Sequence, residues 1–379
     1  MDKFKKIGTF FLFILCLWIH PQPSAASDNF FPTVTAPYVF VQNQETGRIL
    51  YEKNAQTPVP MASTTKIMTA IIISQNCSLT ETVTVSKNAA TTTGSSMHLS
   101  TGEKLSVRAL LYGLLLVSGN DAAVALAEHL CGSTEDFCIL MNNKATELGL
   151  INTHFTSPHG LDHEDHYTTA EDLAQIARVF TQDPLLSDIC NTKLITIEGH
   201  TMTNTNPLLG VSPYVRGMKT GYTGNAGYCL VLLAEHQGAS YIVVLLGCPS
   251  SKDRKRDAFS VTNYLAENYR LYDLYPKGHV VGSLTVADGK ISEIDAILPK
   301  KIQCLLMPNE RNKIKVIFTP EKLPAQAPLS HDQKVGTFRI FIDNTCVYEG
   351  PATPFRNVER KGFWDAFLEV LTAWIYLFR

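Results

Sequence analysis

The stretch PMASTTKIMTAIII, residues 60–73, predicts a helix that begins beside a serine. Ser63 and Lys66 are one helical turn apart, so a hydroxyl and an amine can project from the same face and share a proton. The apolar run that starts at Ile67 indicates that this helix is buried. Its amide dipoles would favour negative charge near the serine. The pattern therefore indicates a serine activated by a lysine base rather than by a histidine.

Two further short motifs follow in order along the chain, Ser118-Gly119-Asn120 and Lys219-Thr220-Gly221. Each motif alone has a plain structural explanation. Ser63 could be a helix N-cap, the second motif a polar helix start, and the third a turn after a strand. Their order, with an apolar helix directly after the first, instead indicates an acyl-transfer site with a serine nucleophile.

The motifs and the stretches around them resemble the low-molecular-mass penicillin-binding proteins, specifically the serine-type D-alanyl-D-alanine carboxypeptidases. The other matching stretches are Gly94-Ser95-Ser96-Met97, 110–128, Ser157-Pro158-His159-Gly160-Leu161-Asp162, His166-Tyr167-Thr168-Thr169-Ala170 and Gly221-Tyr222-Thr223. The likeness runs from about residue 37 to about residue 272. It implies an α/β (α+β) fold of the β-lactamase/transpeptidase type, with an antiparallel sheet flanked by helices. A small all-β domain and a C-terminal amphipathic helix would follow.

The first two motifs are expected to carry the chemistry. Ser63 is the expected nucleophile and Lys66 the group that takes its proton. This role requires that burial, or a neighbouring cation such as Lys219, lower the pKa of Lys66. The resemblance implies that Ser118 relays a proton to the leaving amine. It also implies that Asn120 holds a substrate amide and orients Lys66.

The third motif, which Gly221 completes, is expected to bind substrate. Lys219 would attract a terminal carboxylate, and Thr220 would donate a hydrogen bond. In the family, backbone amides of the nucleophile and of the residue after this motif stabilise the oxyanion, which here implies Ser63 and Tyr222. One departure is Arg216, where the family commonly carries an aspartate. The reversed charge is expected to alter substrate preference without removing a catalytic group.

The resemblance implies a defined reaction. The enzyme would remove the terminal D-Ala from peptidoglycan stem pentapeptides through a Ser63 acyl-enzyme, and β-lactams would acylate the same serine. A DD-endopeptidase, a transpeptidase or a β-lactamase could use the same residues, and a non-catalytic wall-binding scaffold could keep the fold. A class A β-lactamase also needs a carboxylate that activates the deacylating water. The surroundings of Glu164 do not resemble that loop, so slow β-lactam turnover is expected.

Composition excludes some classes of partner. The chain has 33 basic and 35 acidic side chains and a formal charge of -2, which gives no electrostatic case for nucleic-acid binding. No cofactor and no metal are expected. The cysteines form no Cys-x-x-Cys pair, and the histidines of the stretch 159–166 lie on a predicted loop rather than on a helix that would align them.

The N-terminus has the pattern of a secretory signal peptide at residues 1–26. Three lysines precede an apolar run at 7–19, and Ser24-Ala25-Ala26 supplies small residues for cleavage. An uncleaved anchor conflicts with the shortness of the apolar run, and a lipoprotein signal at Cys16 conflicts with the bulky Leu15 before it. We therefore expect export to the periplasm or to the outer face of the bacterial cytoplasmic membrane, where disulfides are permitted.

The length of 379 residues predicts two folded domains. A peptidase domain is expected at 27–272 and a small β-rich domain, a spacer or a partner-binding module, at 273–355. Within the first, the patterns predict a hairpin at 38–51, helices at 106–116, 121–130, 134–148, 169–180 and 257–269, and paired strands at 227–234 and 241–247. That pairing would place Cys229 opposite Cys248 or close to it, which leaves both a disulfide and two free thiols open.

Residues 356–379 are predicted to anchor the protein at a membrane surface. In the helical projection of 363–379, Asp365, Glu369 and Thr372 share one narrow face with Arg379, while aromatic and aliphatic side chains cover the rest. Basic residues just before the helix would meet anionic lipid head groups. The alternative is a helix that docks on the protein's own core.

Overall fold

A computed structural model describes residues 31–377 of the chain. The predicted signal peptide at 1–26 lies outside these residues. The strands are β1 Tyr38–Asn43, β2 Ile49–Lys53, β3 Thr82–Thr84, β4 Lys104–Ser106, β5 Leu194–Ile197, β6 His200–Thr203, β7 Val215–Thr223, β8 Gly227–His236, β9 Ala239–Cys248, β10 Arg270–Tyr275, β11 Val280–Ala287, β12 Glu293–Ile297, β13 Ile302–Leu306, β14 Ile314–Pro320, β15 Ala325–Gln326, β16 Gly336–Ile342 and β17 Thr345–Pro354.

Helices fill the middle of the chain, close the first domain and end the described part. They are α1 Lys66–Asn76, α2 Lys87–Ala90, α3 Val107–Leu115, α4 Asn120–Cys131, α5 Thr134–Glu147, α6 Ala170–Phe180, α7 Pro184–Asn191, α8 Ser251–Asn268 and α9 Phe363–Leu377. Short 3-10 turns lie at Ala62–Thr65 and Pro308–Lys313. The helices predicted from periodicity are present, and α8 begins six residues before its predicted start at residue 257.

A five-stranded antiparallel sheet, in the order β2-β1-β9-β8-β7, separates two apolar cores. Alternate side chains of each strand enter opposite cores, as the period of two requires. On β1, Phe40 joins the core shared with α1, α3, α4 and α6, whereas Val39 and Val41 join the core shared with α8. The helices on both faces exclude water from the sheet. The predicted antiparallel sheet with flanking helices is therefore confirmed.

The β8–β9 hairpin decides between the two alternatives left open for Cys229 and Cys248. Gln237 and Gly238 form its two-residue turn, both with positive φ, which suits the twist of the strands. Near its open end a bulge pairs Tyr228, not Cys229, with Cys248. Cys229 therefore enters one core and Cys248 the other, and both thiols are free. A one-residue change of register moves a side chain to the other face of a sheet. The two thiols are therefore on opposite faces, although the two residues are near each other along the paired strands.

The C-terminal β part contains a six-stranded sheet, in the order β14-β16-β17-β12-β11-β15, and the pair β10–β13. The strands β16 and β17 form a hairpin that turns at Asp343, where φ is 52°. The strand β10 follows α8 directly, and β13 pairs with it. The all-β character of this part is confirmed.

Contacts tie the β part to the peptidase part. Leu305 of β13 lies in the core shared by the central sheet and α8. Arg48, beside β2, donates to the carbonyl of Leu305 and pairs with Glu310 at 2.5 Å. The side chains of this ion pair are only 10% and 17% exposed, so solvent screens it less than a surface pair. The two parts thus share both apolar and charged contacts.

The C-terminal helix α9 lies on the surface. All its side chains that the structure describes are exposed, including Phe363 at 76%, Trp364 at 71% and Val370 at 66%. Docking on the protein's own core, the alternative considered for this segment, is therefore wrong. Within residues 31–377, the structure contains no helix whose length and apolar character would suffice to cross a membrane.

Candidate active site

The nucleophile candidate lies on a tight turn at the start of the buried helix. Ser63 belongs to the 3-10 turn Ala62–Thr65, and Lys66 is the first residue of α1. Ser63 is partly exposed, whereas Lys66 is fully buried. The Nζ of Lys66 lies 2.9 Å from the Oγ of Ser63, within reach for direct proton transfer. The spacing in sequence thus produces the expected pair.

The partners of Lys66 suit a neutral amine. Its Nζ lies 2.7 Å from the Oδ1 of Asn120 and 2.9 Å from the carbonyl oxygen of His159. Both oxygens only accept hydrogen bonds, so they take the two N–H bonds of a neutral amine. The remaining lone pair then faces Ser63, whose O–H can donate to it. A neutral Lys66 therefore satisfies every polar contact and is ready to accept the serine proton.

Electrostatics favour this neutral form. Burial, and then the positive charge of Lys219, hold the pKa of Lys66 well below its usual value of 10.5, although Asp121 opposes the shift. Burial also lowers the pKa of Lys219 to about 7, where the Cys190 thiol opposes the shift and the Arg254 cation adds to it. Two buried lysines share one low-dielectric site. The positive charge of Lys219 lowers the cost of neutralising Lys66.

The second motif joins α3 to α4. Ser118 is buried and adopts φ of 65°, a left-handed conformation that costs a non-glycine residue about 1–3 kcal/mol and concentrates at functional sites. Asn120 begins α4, and its Nδ2 donates to the carbonyl of Thr93 at 2.7 Å. This second contact fixes the amide so that its oxygen faces Lys66. The structure therefore brings Ser63, Lys66 and Asn120 together. Ser118 lies two residues before Asn120 in the chain.

The third motif lies on β7, at the edge of the central sheet. A Cβ added to Gly221 would lie 3.0 Å from the backbone nitrogen of Ser63, so glycine allows the strand to run beside the nucleophile. Lys219 is fully buried, and the Thr220 hydroxyl lies 3.0 Å from that of Thr205. Tyr222 is 58% exposed beside this edge. The predicted residues of the third motif thus border the turn that carries Ser63.

The short motifs did not reveal that His166 holds the nucleophile turn in place. The backbone N–H of Thr156 donates to Nδ1 of buried His166, so the other ring nitrogen carries the proton and donates to the hydroxyl of Thr65 at 2.8 Å. Thr65 in turn donates to the carbonyl of Ala62 at 2.8 Å. Burial lowers the pKa of His166 to about 4, which keeps the ring neutral. The sequence signals for His166 were its place in a loop of histidines and in a stretch that resembles the family.

Gly160 completes the same support. Its φ is 88°, and a Cβ there would lie 2.0 Å from the carbonyl oxygen of Ala62 and 2.6 Å from its carbon. The loop can therefore pass this close to the nucleophile turn only at a glycine. The neighbouring His159 supplies the carbonyl that contacts Lys66.

Two further buried charges position the motifs. Asp121, next to Asn120, accepts from the backbone N–H groups of Met97 and Leu99 and from the hydroxyl of Ser96, which holds that loop against α4. Arg254 of α8 donates to the carbonyl of Gly221 at 3.2 Å and so supports β7. Neither residue belongs to a short motif with a distinctive spacing, so the sequence alone did not select them.

A serine that shares a proton with a buried lysine, at the edge of a five-stranded antiparallel sheet, defines a serine acyl-transfer enzyme. Comparison with known proteins gives the family. Residues 24–250 match the model of the D-alanyl-D-alanine carboxypeptidase family, peptidase S11, and residues 269–360 match that of the penicillin-binding protein 5 C-terminal domain. The chain belongs to the D-alanyl-D-alanine carboxypeptidase family, as the sequence resemblance predicted.

Relatives cover nearly the whole chain. The D-alanyl-D-alanine carboxypeptidase DacF of Bacillus subtilis is 33% identical over 84% of this chain and 85% of its own. DacC of Escherichia coli is 32% identical over 97% of this chain and 95% of its own. The crystal structure of penicillin-binding protein 5 from Haemophilus influenzae covers 87% of this chain and 99% of its own, with a TM-score of 0.77 and 28% identity. The likeness therefore includes the β part as well as the peptidase part.

Proposed function

We propose that this protein removes the terminal D-alanine from peptidoglycan stem peptides that end in D-Ala-D-Ala, through an acyl-enzyme on Ser63. This proposal rests on the contact of buried Lys66 with Ser63. The oxygens of Asn120 and His159 can only accept hydrogen bonds, so they take the N–H bonds of a neutral amine and leave its lone pair facing the serine hydroxyl. Membership of a family of D-alanyl-D-alanine carboxypeptidases supports the same substrate.

Acylation begins when Lys66 takes the proton of Ser63. The serine oxygen attacks the carbonyl carbon of the penultimate D-Ala, and the backbone amides of Ser63 and Tyr222 stabilise the oxyanion. The carbon–nitrogen bond then breaks, and the leaving D-Ala amine receives the proton from Lys66 by way of Ser118. Water hydrolyses the ester in the second half, which releases the shortened peptide and restores the serine.

The cation of Lys219 selects substrates that end in a carboxylate. Lys219 lies on β7, where its Nζ donates to the carbonyl of Thr220 at 3.0 Å, and Thr220 adds a hydroxyl on the same strand. A β-lactam has a carboxylate near its reactive carbonyl and so fits the same contacts. Glu164, the glutamate of the central loop, is exposed, whereas a general base for the deacylating water needs a defined position in the site. Slow release of the penicilloyl group is therefore the expected behaviour.

The experiment is D-alanine release from a peptide ending in D-Ala-D-Ala, measured together with any product transferred to an added amine. Ser63→Ala should lose release and penicillin labelling, whereas Ser251→Ala, at an exposed serine that begins α8, should keep both. Transfer that exceeds release would assign a transpeptidase instead. Release by Ser63→Ala at the unmodified rate would disprove the role of the serine.

We further infer that residues 1–26 direct export and that residues 356–379 hold the mature protein on a membrane surface. The exposed aromatic and aliphatic side chains of α9 support the second inference. Phe363 and Trp364 pack on each other at 5.4 Å between ring centroids rather than on the rest of the protein. An amphipathic helix of this kind gains affinity by placing its apolar face at the lipid interface.

Neighbouring substitutions test the membrane contact. Leu371→Glu places a charge on the apolar side of α9, and Thr372→Glu places the same charge on the face shared by Asp365 and Glu369. In sedimentation with anionic vesicles, the first should weaken binding by about tenfold or more, as expected for loss of one buried leucine, and the second much less. Equal binding by a protein truncated after Val358 would refute the anchor. Detection of the mature N-terminus at Ser27 tests export.

A further inference from the structure

A group of metal-ligand side chains lies at the far ends of the two helices that begin at the active site. Cys77 directly follows α1, Glu81 lies just before β3, and His129 is on the last turn of α4. One ligand atom from each of the three side chains lies within 4.8 Å of the other two. None of these residues contributes to the catalytic contacts described above.

The three donors are held by well-defined backbone contacts. The N–H of Cys77 donates to the carbonyl of Ile73 at 2.9 Å, which ends α1. The backbone carbonyl of Glu81 accepts from the N–H of Val107 at 3.0 Å, and its side chain lies 3.0 Å from Nε2 of His129. The side chain of Glu81 is 44% exposed and that of His129 is 24% exposed, so solvent and ions can reach them. The cluster is therefore both ordered and accessible.

The donor types select a class of ion. A thiolate, an imidazole and a carboxylate together suit Zn²⁺ and its neighbours in the first transition series, whereas Mg²⁺ and Ca²⁺ prefer oxygen alone. Metal–ligand bonds of about 2.0–2.3 Å place tetrahedral donors about 3–4 Å apart, so the present separation needs only small side-chain movements. The thiolate and the carboxylate together balance the charge of a divalent ion.

We propose that Cys77, Glu81 and His129 bind a divalent transition-metal ion of the Zn²⁺ class. Three metal–ligand bonds form, the Cys77 thiol releases its proton to solvent, and no oxidation or reduction occurs. Cys131, the last residue of α4, is a further free thiol at the same end of that helix as His129.

The position in the fold indicates a structural role. The helix α1 begins with Lys66 and α4 begins with Asn120, whose side chains contact each other, while the opposite ends of both helices meet at the cluster. A helix of 11 residues is about 17 Å long, so the ion lies too far from Ser63 to contact substrate. It would instead fix the spacing between the two helices that carry the catalytic motifs.

The test is metal uptake by the mature protein with its cysteines reduced. Zn²⁺ affinity is measured in competition with a chromophoric chelator, and Co²⁺ is used as a probe because thiolate coordination gives a charge-transfer band. One equivalent should bind, with the band present. Cys77→Ser and His129→Gln should each weaken binding by at least about tenfold and lose the Zn²⁺-induced rise in Tm. Matched controls are Cys346→Ser and His98→Gln, at an exposed cysteine and an exposed histidine elsewhere.

Several outcomes would overturn the proposal. These are absence of stoichiometric uptake by the reduced protein, uptake that Cys77→Ser retains unchanged, or a Co²⁺ spectrum without the thiolate band. A disulfide between Cys77 and Cys131 that persists in the exported protein would also overturn it. Penicillin labelling of each variant shows whether it has folded, so a failed fold cannot be mistaken for a lost ligand.

Discussion

Replacement of Gly160 by alanine tests how closely the loop supports the nucleophile. The added Cβ would lie 2.0 Å from the carbonyl oxygen of Ala62, whereas ordinary contact begins at 3.4 Å. The loop and the nucleophile turn must therefore separate by the difference, 1.4 Å. The obstructing atoms belong to the backbone, so a rotamer change cannot relieve the overlap.

The expected effect on acylation is large. Misplacement of reacting groups by about 1 Å costs roughly 10²-fold in rate, or about 2.7 kcal/mol of barrier. The overlap should also lower the free energy of unfolding by about 1–3 kcal/mol, in addition to about 1 kcal/mol for a left-handed alanine. The rate is measured as single-turnover acylation by a fluorescent penicillin, and the stability by urea unfolding.

Gly102→Ala separates backbone strain from overlap. Gly102 has φ of 83°, close to the 88° of Gly160, but its added Cβ would meet no atom within 4 Å. This control should lose about 1 kcal/mol of stability and keep its acylation rate. Acylation by folded Gly160→Ala at the unmodified rate, or equal slowing of both variants, would show that this loop does not position the nucleophile.

Peptide acylation should fall above pH 7, because Lys219, with a pKa of about 7, then loses the charge that attracts the substrate carboxylate. In Lys219→Arg, the decline of kcat/KM should move to higher pH. A decline at the same pH would show that Lys219 is not the group that titrates. The pKa of His166 is about 4 in the folded protein and about 6.5 in the unfolded chain. Between these pH values the unfolded chain binds more protons than the folded protein. The free energy of unfolding therefore falls as the pH is lowered from 6.5 to 4. Urea unfolding at pH 7 and pH 5 should show a loss of about 2 kcal/mol from this group, absent in His166→Gln; an equal loss in the variant would assign it to other groups. Arg216→Ala should change stability by less than about 1 kcal/mol, because its pair with Glu235 is exposed on both sides, and a larger change in the same unfolding assay would contradict this.

Local spacing made much of the active site predictable. Ser63 and Lys66 are three residues apart, and the apolar run after them marks a buried helix, so both the pair and its burial follow from a short stretch. The resemblance then extended the prediction to Asn120 and Lys219. Their roles in catalysis remain predictions, although the structure places them beside the expected partners.

Contacts between distant segments were not predictable in this way. The bond from His166 to Thr65 joins residues 101 apart, and the bond from Arg254 to Gly221 joins residues 33 apart. No periodicity or motif encodes such a pair, because the separation depends on how the whole chain packs. The bulge beside Cys229 is similar, because alternation along a strand does not reveal where an irregularity of register falls.

The seam between the peptidase part and the β part has a thermodynamic consequence. Leu305 completes an apolar core formed mainly by the other part, and Arg48 reaches across to Glu310. Neither part can unfold without exposing surface of its neighbour, so heating should give one calorimetric transition rather than two. A chain cut after residue 272 would keep the catalytic residues but lose β13, and it should melt at a lower temperature than the intact protein.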